Sequence, residues 1–307
     1  MRRKAYIGVA AVAVILICAA VLIHIVRARS FMAEAGRMAE SLLAQKLGTA
    51  VHVGAVEIRS LHELEMDDVI IYDKQAEAVL RADEARVTLR LLSLLSSPET
   101  SIDEILLTGA HLQIVRRTDG SWNYDDIGAD TAEPSTFEGK IRTEGGRATV
   151  VTDGRTYELE DIVGAVEIDR SDISYELAGA LAGVSLHARG AYVGGTQELK
   201  LSSENAALTP LLGYLSEGTL PEAVRVHDLH ADHMGMYLRR VDGVLTLDGR
   251  VDGMRGTADV YDTEMQLQSA ALTFNERSIF LAATAEAAGE TARVDGTVRL
   301  DTDTPYL

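Results

Sequence analysis

The sequence predicts a mainly β protein, with one N-terminal transmembrane helix, an antiparallel sheet and a few short helices. Three observations carry this. One apolar run of membrane-spanning length opens the chain, period-two alternation recurs through the rest, and the connectors between alternating segments are short and turn-forming.

Ala5 to Val26 reads AYIGVAAVAVILICAAVLIHIV, with no formal charge and only His24 as a strongly polar interruption. At about 1.5 Å per residue this crosses a hydrocarbon core of roughly 30 Å, and Ile7, Val14, Leu16 and Leu22 are among its anchor residues. Arg2, Arg3 and Lys4 precede the run, while Arg27 and Arg29 follow it. The basic cluster and the terminal amine favour a cytoplasmic tail at 1–4, with the body on the opposite side. A cleaved signal peptide is the competing reading. Its apolar region normally spans about 7–15 residues before a small-residue cleavage site, whereas here the run is longer and a basic RARSFMAEAG follows. Cys18 does not make a lipoprotein signal, because Ile17 stands where a small residue is needed.

Composition bounds the remainder. Lys+Arg 29 against Asp+Glu 47 gives a net charge of −18. That disfavours nucleic acid, which is bound through phosphate neutralisation, and disfavours a body lying flat on anionic headgroups. The single cysteine lies in the span, so the body has no disulfide framework and no thiolate metal site.

The region 27–48 follows as a juxtamembrane helix. Phe31, Ala35, Met38, Leu42, Leu43 and Leu47 recur at three-to-four spacing, and Gly48 stops it. Its apolar stripe suits packing on the first strands, with a dimerising helix as the alternative. From Thr49 the period changes, and 49–132 forms an N-terminal module. VHVGAVEI (51–58), EMDDVIIYD (65–73), ARVTLRL (85–91) and ILLTGAHLQIVRR (105–117) have strand spacing, and LLSLLSS (91–97) is a short helical turn ended by Pro98.

Region 133–307 alternates more uniformly. Leu199/Leu201, Leu245/Leu247 with Val251, Ala258/Val260, Met265/Leu267, Ala270/Leu272/Phe274, Ile279/Leu281 and Ala292/Val294/Val298 each place one apolar and one wet face on a strand. Asp242-Gly243, Asp252-Gly253 and Asn275-Glu276 are turn signals, so the strands form an antiparallel meander. NAALTPLLGYLSEGTLPEA (205–223) is a helical or irregular insert. The inward residues are small and aliphatic, aromatic content is 5%, and no helix is evident to cover them. A one-sided apolar sheet must bury that face, by folding over, by pairing with another sheet, or by holding an apolar ligand. Leu245, Leu247, Val251, Val260, Leu267, Leu272, Leu281, Val294 and Val298 are the candidate groove-lining residues.

Catalytic, cofactor and metal chemistry have little support. His227, His230 and His233 have metal-like spacing, but on a regular strand His227 and His233 share a face while His230 points away. Asp125, Asp126 and Asp130 crowd near Gly128 without the spacing of a calcium loop. No GxSxG, P-loop or dinucleotide fingerprint is present, Ser121 belongs to a turn, and Trp122 reads as a core anchor closing the N-terminal module.

The order of segments resembles the AsmA-like superfamily, and within it the N-terminal part of TamB-type proteins. The residues carrying it are the span (5–26), then LGTAVHVGAVEI (47–58), LEMDDVIIYD (64–73), AEAVLRADEARVTLRLLSLL (76–95) and IDEILLTGAHLQIVRRTDGSWNYDDI (102–127). Asp119-Gly120-Ser121-Trp122-Asn123 is the most specific piece, and Ala110 stands where the family often has proline. The resemblance implies an inner-membrane anchor, a periplasmic body, and an elongated U-shaped β-groove. It further implies a role in outer-membrane biogenesis, by conducting phospholipid acyl chains between membranes. Assembly or secretion of outer-membrane proteins with a β-barrel partner is the alternative. TamB-type chains are much longer, so the groove repeats at 133–307 are expected to be incomplete. A dozen strands span about 50–60 Å at about 4.8 Å each, too short to bridge a periplasm alone.

Overall fold

The computed structural model describes residues 37, 40, 41, 43–45, 47–60, 62–90, 102–127, 138–169, 171–214 and 222–299. The expected span at 5–26 and the turn at 91–97 lie outside these residues. Among the described residues no helix is long and apolar enough to cross a membrane.

Fifteen strands build one sheet: β1 (Val51–Ser60), β2 (Glu63–Tyr72), β3 (Ala78–Leu89), β4 (Ile102–Thr108), β5 (His111–Val115), β6 (Glu138–Thr152), β7 (Arg155–Asp169), β8 (Asp172–Leu181), β9 (Val184–Val193), β10 (Thr196–Ala207), β11 (Val224–Val241), β12 (Val244–Val260), β13 (Thr263–Asn275), β14 (Ser278–Ala287) and β15 (Glu290–Arg299). From β6 onward each pairs antiparallel with its sequence neighbour, as the alternation and turns predict. At about 4.8 Å per lane, the fourteen lanes span roughly 62 Å.

One junction breaks the antiparallel expectation. β4 and β5 share the lane between β3 and β6, and both run parallel to β6. A parallel neighbour needs a crossover. The chain therefore leaves β5 through the Asp119-Gly120 turn and a 3₁₀ turn at Asn123–Asp126, and re-enters at the far end of the lane.

That crossover explains the TDGSWN segment. β3 meets β5 only at Leu80 and Arg81, leaving the rest of the β5 edge without a strand. Asn123, 2% exposed, fills the gap: its Nδ2 donates to the Gln113 carbonyl at 2.7 Å, and its Oδ1 accepts from the Val115 amide at 2.9 Å. Asn123, not Trp122, is therefore the anchor. Trp122 is half-buried and stacks on exposed Tyr124 at 5.9 Å. Arg117 clamps the same loop, with Nη2 3.0 Å from Asp73 and 2.6 Å from Asp126. This guanidinium holds the Asp126 carboxyl below the usual carboxylate range, so Asp126 belongs to a structural clamp.

The first edge of the sheet is capped. Residues 37, 40, 41, 43–45 and 47 are helical, and Glu40 Oε1 accepts the Val53 amide at 2.9 Å. This end of the expected 27–48 helix does pack on the first strand, and it satisfies a donor that an edge strand would expose.

Asp252-Gly253 is a correction. It is not a turn but a bulge within β12, a strand of 17 residues. Backbone geometry separates the two uses of Asp-Gly. At Asp242-Gly243 both residues are left-handed (φ +49° and +81°), as a two-residue hairpin requires, whereas at 252–253 only Gly253 is (φ +63°). Left-handed residues also interrupt β2 at Asp68, β6 at Gly145, β7 at Asp161 and β10 at Asn205. A bulge bends its strand and increases local twist. These mid-strand interruptions reset the alternation of the two faces, and the apolar face on which Val184, Ala206, Ala231 and Val251 are buried together is called the trough below.

Candidate functional site

The trough face follows from register, since directly paired residues in antiparallel strands point to the same side. One cross-strand row reads Leu177, Ala188, Leu201, Met236, Gly249, Phe274, Ile279, Val298 from β8 to β15. A second reads Ser203, Met234, Val251, Leu272, Leu281, Gly296. A third reads Met254, Ala270, Ala283, Val294. Val251 and Met254 are both buried although they lie three apart, because the Gly253 bulge shifts the alternation by one residue.

All nine candidate groove residues lie on this face: Leu245, Leu247, Val251 and Val260 on β12, Leu267 and Leu272 on β13, Leu281 on β14, and Val294 and Val298 on β15. Sequence reasoning missed the other half of the cluster. Val184, Leu186, Ala206 and Ala231 are buried with Val251, Met254 and Ala270 in one apolar cluster. The alternation of Met234, Met236 and Leu238 signals that β11 contributes too, but the neighbouring histidines made that segment read as polar.

On β11 to β15 the trough-facing positions carry charge only at strand ends, Arg240 at one and Glu290 at the other. Between them the lining is Leu, Val, Ile, Met, Ala and Gly, with one ring and with Thr263 at the start of β13. Phe274 lies over Gly249, where a Cβ would stand 2.0 Å from the ring. Tyr175 covers Gly190 in the same manner, and burial raises its phenol pKa. Each glycine makes room for an aromatic ring on a sheet otherwise short of large side chains.

The trough is not uniform along its length. Toward β1 its floor is closed: Val53, Val56, Val69, Ala82, Ala85 and Val87 are all buried. Toward β15 it opens, with Leu245 at 55%, Leu281 at 36% and Val294 at 57% exposure. Between these stretches lies a bridging segment. Of the insert expected at 205–223, residues 205–207 instead belong to β10, and after Leu208 the chain enters a 3₁₀ turn, Thr209–Tyr214. Leu211 packs on the apolar cluster, the Tyr214 ring stacks on Tyr157 of β7 at 5.0 Å, and Arg155 Nη1 donates to the Tyr214 carbonyl at 2.7 Å. Six residues at about 2.0 Å rise cover ~12 Å, close to the ~14 Å of three lanes from β10 to β7. The segment therefore bridges β10 to β7 on the trough side, at the level of the β8–β9 turn.

The opposite face carries the ion pairs, although Ile70 of β2 is buried on it. Glu65 bridges Arg59 at 2.5 Å and Arg86 at 3.5 Å, and the Arg59 hydrogen bond lowers its carboxyl pKa. His227 contacts Asp259 at 2.9 Å and His230 contacts Asp228 at 2.8 Å. Ala231 and Met234 both belong to the trough cluster, so the alternation slips between them. His230 and His233 thus share the wet face, contrary to regular strand parity. Among the described residues no group of three or more His, Cys, Asp or Glu is placed to hold a metal ion.

No family model matches the chain, and neither does any curated protein or solved structure.

Proposed function

We propose that the open part of the trough, on β11 to β15, holds lipid acyl chains, and that the chain takes part in outer-membrane biogenesis as an AsmA-like groove protein of the TamB type. In this reading the N-terminal span anchors it in the inner membrane, the body is periplasmic, and phospholipid is conducted between membranes. The observation that carries the reading is an uncharged, largely aliphatic face crossing five strands, exposed at Leu245, Leu281 and Val294 and half-buried or buried between them, with charge only at the strand ends.

Magnitudes favour conduction over storage. Each CH₂ moved from water to an apolar surface gains roughly 0.8 kcal/mol, which is also what the bilayer offers. A lining of small aliphatic side chains is therefore near-neutral relative to a membrane. It holds a chain away from water without trapping it.

Leu281→Asp and Val294→Asp place charge on this row at exposed positions, where the fold tolerates it. Phospholipid recovered with the purified full-length chain, read by mass spectrometry, is expected to fall at least fivefold. Thr273→Asp, on the wet face of β13, is expected to leave it unchanged. Equal lipid loads in all three would refute the reading.

A second reading has one observation in its favour. Among the described residues β15 pairs only with β14, and its residues from Glu290 to Asp295 are exposed. An open edge suits strand addition by a protein partner, as assembly or secretion of outer-membrane proteins with a barrel requires.

A further inference from the structure

The trough face changes chemistry from one rim toward its centre. Its outermost row, beside the β9–β10 and β11–β12 turns, reads Ile173, Tyr192, Gln197, Arg240, Leu245 across five adjacent strands. All five side chains are exposed. The next row inward, from Tyr175 through Leu199 and Leu238 to Leu247, carries no charge, and neither does the row from Leu177 to Gly249 behind it. The one hydroxyl in the inner row is turned to the backbone, Tyr175 donating to the Glu198 carbonyl at 3.5 Å. Polar donors therefore gather at the rim, with Gln197 and Arg240 in neighbouring lanes about 4.8 Å apart.

Arg240 supplies the charge in that row. Its neighbour Arg239, on the other face of β11, is paired with Glu198 at 3.3 Å. Among the described residues the Arg240 guanidinium has neither a carboxylate nor a hydrogen-bond partner, and the Gln197 amide beside it has no partner either. On the trough-facing positions of β8 to β15 the only carboxylate among the described residues is Glu290. It stands at the opposite rim, roughly 40 Å away along the strands at about 3.3 Å per residue. The face thus has a cation at one rim, a carboxylate at the other and aliphatic side chains between them. That is the complement of an amphiphile with one anionic end.

We propose that Arg240, with Gln197 beside it, holds the phosphate of a phospholipid whose acyl chains lie inward over Leu199, Leu238 and Leu247. This rests on the acyl-chain reading of the trough, and adds to it a headgroup position and a selection for phosphate over uncharged lipid. A guanidinium presents a planar fork of donors that matches two phosphate oxygens. Its exposure at the rim keeps the gain small, so the contact selects a lipid without trapping it. Glu290 repels a phosphate at the far rim, so the lipid lies one way round.

The test uses the full-length chain and vesicles of phosphatidylethanolamine and phosphatidylglycerol that also carry diacylglycerol with the same acyl chains. A photoreactive amino acid stands at Leu247, one row inward from Arg240, or at Leu272, and adducts are read by mass spectrometry relative to the vesicle composition. In the parent, phospholipid adducts at Leu247 are expected to be enriched over diacylglycerol about fivefold, the order of an exposed charge-assisted hydrogen bond. Arg240→Gln is expected to return the ratio to that of the vesicles. Arg240→Lys keeps a preference, and Arg239→Gln leaves it unchanged. A parent without the preference, or a preference that survives Arg240→Gln, overturns the headgroup site. Soluble glycerol 3-phosphate is expected to leave the preference intact; if it abolishes the preference, Arg240 binds free phosphate and the lipid assignment is overturned. Diacylglycerol adducts at Leu272 in every variant show that the fold and the trough are preserved. Absence of any lipid adduct at Leu272 in the parent overturns the acyl-chain reading itself, so the two failures are distinguishable.

Discussion

Gly256→Ala is expected to destabilise the β11–β13 region by about 3 kcal/mol, at the upper end of the range for overpacking. Gly256 pairs with Leu229 on β11 and Leu267 on β13. A Cβ there would stand 2.0 Å from the Asp228 carbonyl oxygen and 3.0 Å from the Leu229 Cα. Both are backbone atoms, so relief requires β11 to move away from β12, which breaks ladder hydrogen bonds on both sides of the bulge at 226–228. At Gly249 the obstacle is the Phe274 ring, which can swing into the trough, so alanine there is expected to cost only about 1 kcal/mol. Gly235 is the control on the same strand pair: an added Cβ meets nothing within 4 Å, and alanine is expected to be neutral or slightly stabilising. Among the described residues, strands from β7 onward pair only with their sequence neighbours, so the loss should stay local, as in a repeat array. Hydrogen exchange is the appropriate readout. Amides of β11 to β13 should exchange roughly a hundredfold faster in Gly256→Ala, with β1 to β3 unchanged. Equal effects for Gly256 and Gly235 would contradict the packing account.

Asn123→Ala is expected to cost a similar ~3 kcal/mol, for a different reason. The substitution leaves the part-buried Val115 amide and Gln113 carbonyl without their partner, and each unsatisfied group costs about 1–3 kcal/mol where water cannot replace it. Asn123→Asp keeps the acceptor for Val115 but turns a carboxylate toward the Gln113 carbonyl, and should be no better. Trp122→Ala loses a stack on an exposed tyrosine and should cost about 1 kcal/mol. Denaturant unfolding followed by exchange at β5 distinguishes them. A larger effect from Trp122 than from Asn123 would restore tryptophan as the anchor.

The apolar face was legible because period two survives in each short segment. Leu245, Leu247, Leu272 and Val298 could be assigned to one side without knowing how the strands pair. What was not legible came from signals with two meanings. Asp-Gly serves both hairpins and bulges, so reading Asp252-Gly253 as a turn cut one strand in two. It nevertheless reset the parity correctly, which is why Val260 and Leu247 were both placed on the trough face. The crossover after β5 hid because its strand neighbours look alike in sequence whether parallel or antiparallel. Trp122 drew attention through size, whereas the anchoring role of Asn123 depends on an unpaired strand edge that exists only in the folded sheet. The bridge from β10 to β7 is a tertiary event: nothing in TPLLGY shows that it reaches back that far.

Photocrosslinking along a single strand tests the central claim most directly. In the full-length chain, a photoreactive residue is placed in turn at Phe274, Thr273, Leu272 and Ala271 of β13, and the adducts are read by mass spectrometry after exposure to vesicles of phosphatidylethanolamine and phosphatidylglycerol. Adducts carrying phospholipid at Phe274 and Leu272 and none at Thr273 and Ala271 would follow the pleat, as an acyl-chain trough predicts. Phospholipid adducts of equal yield at all four positions, or protein adducts alone at the two trough positions, would contradict it.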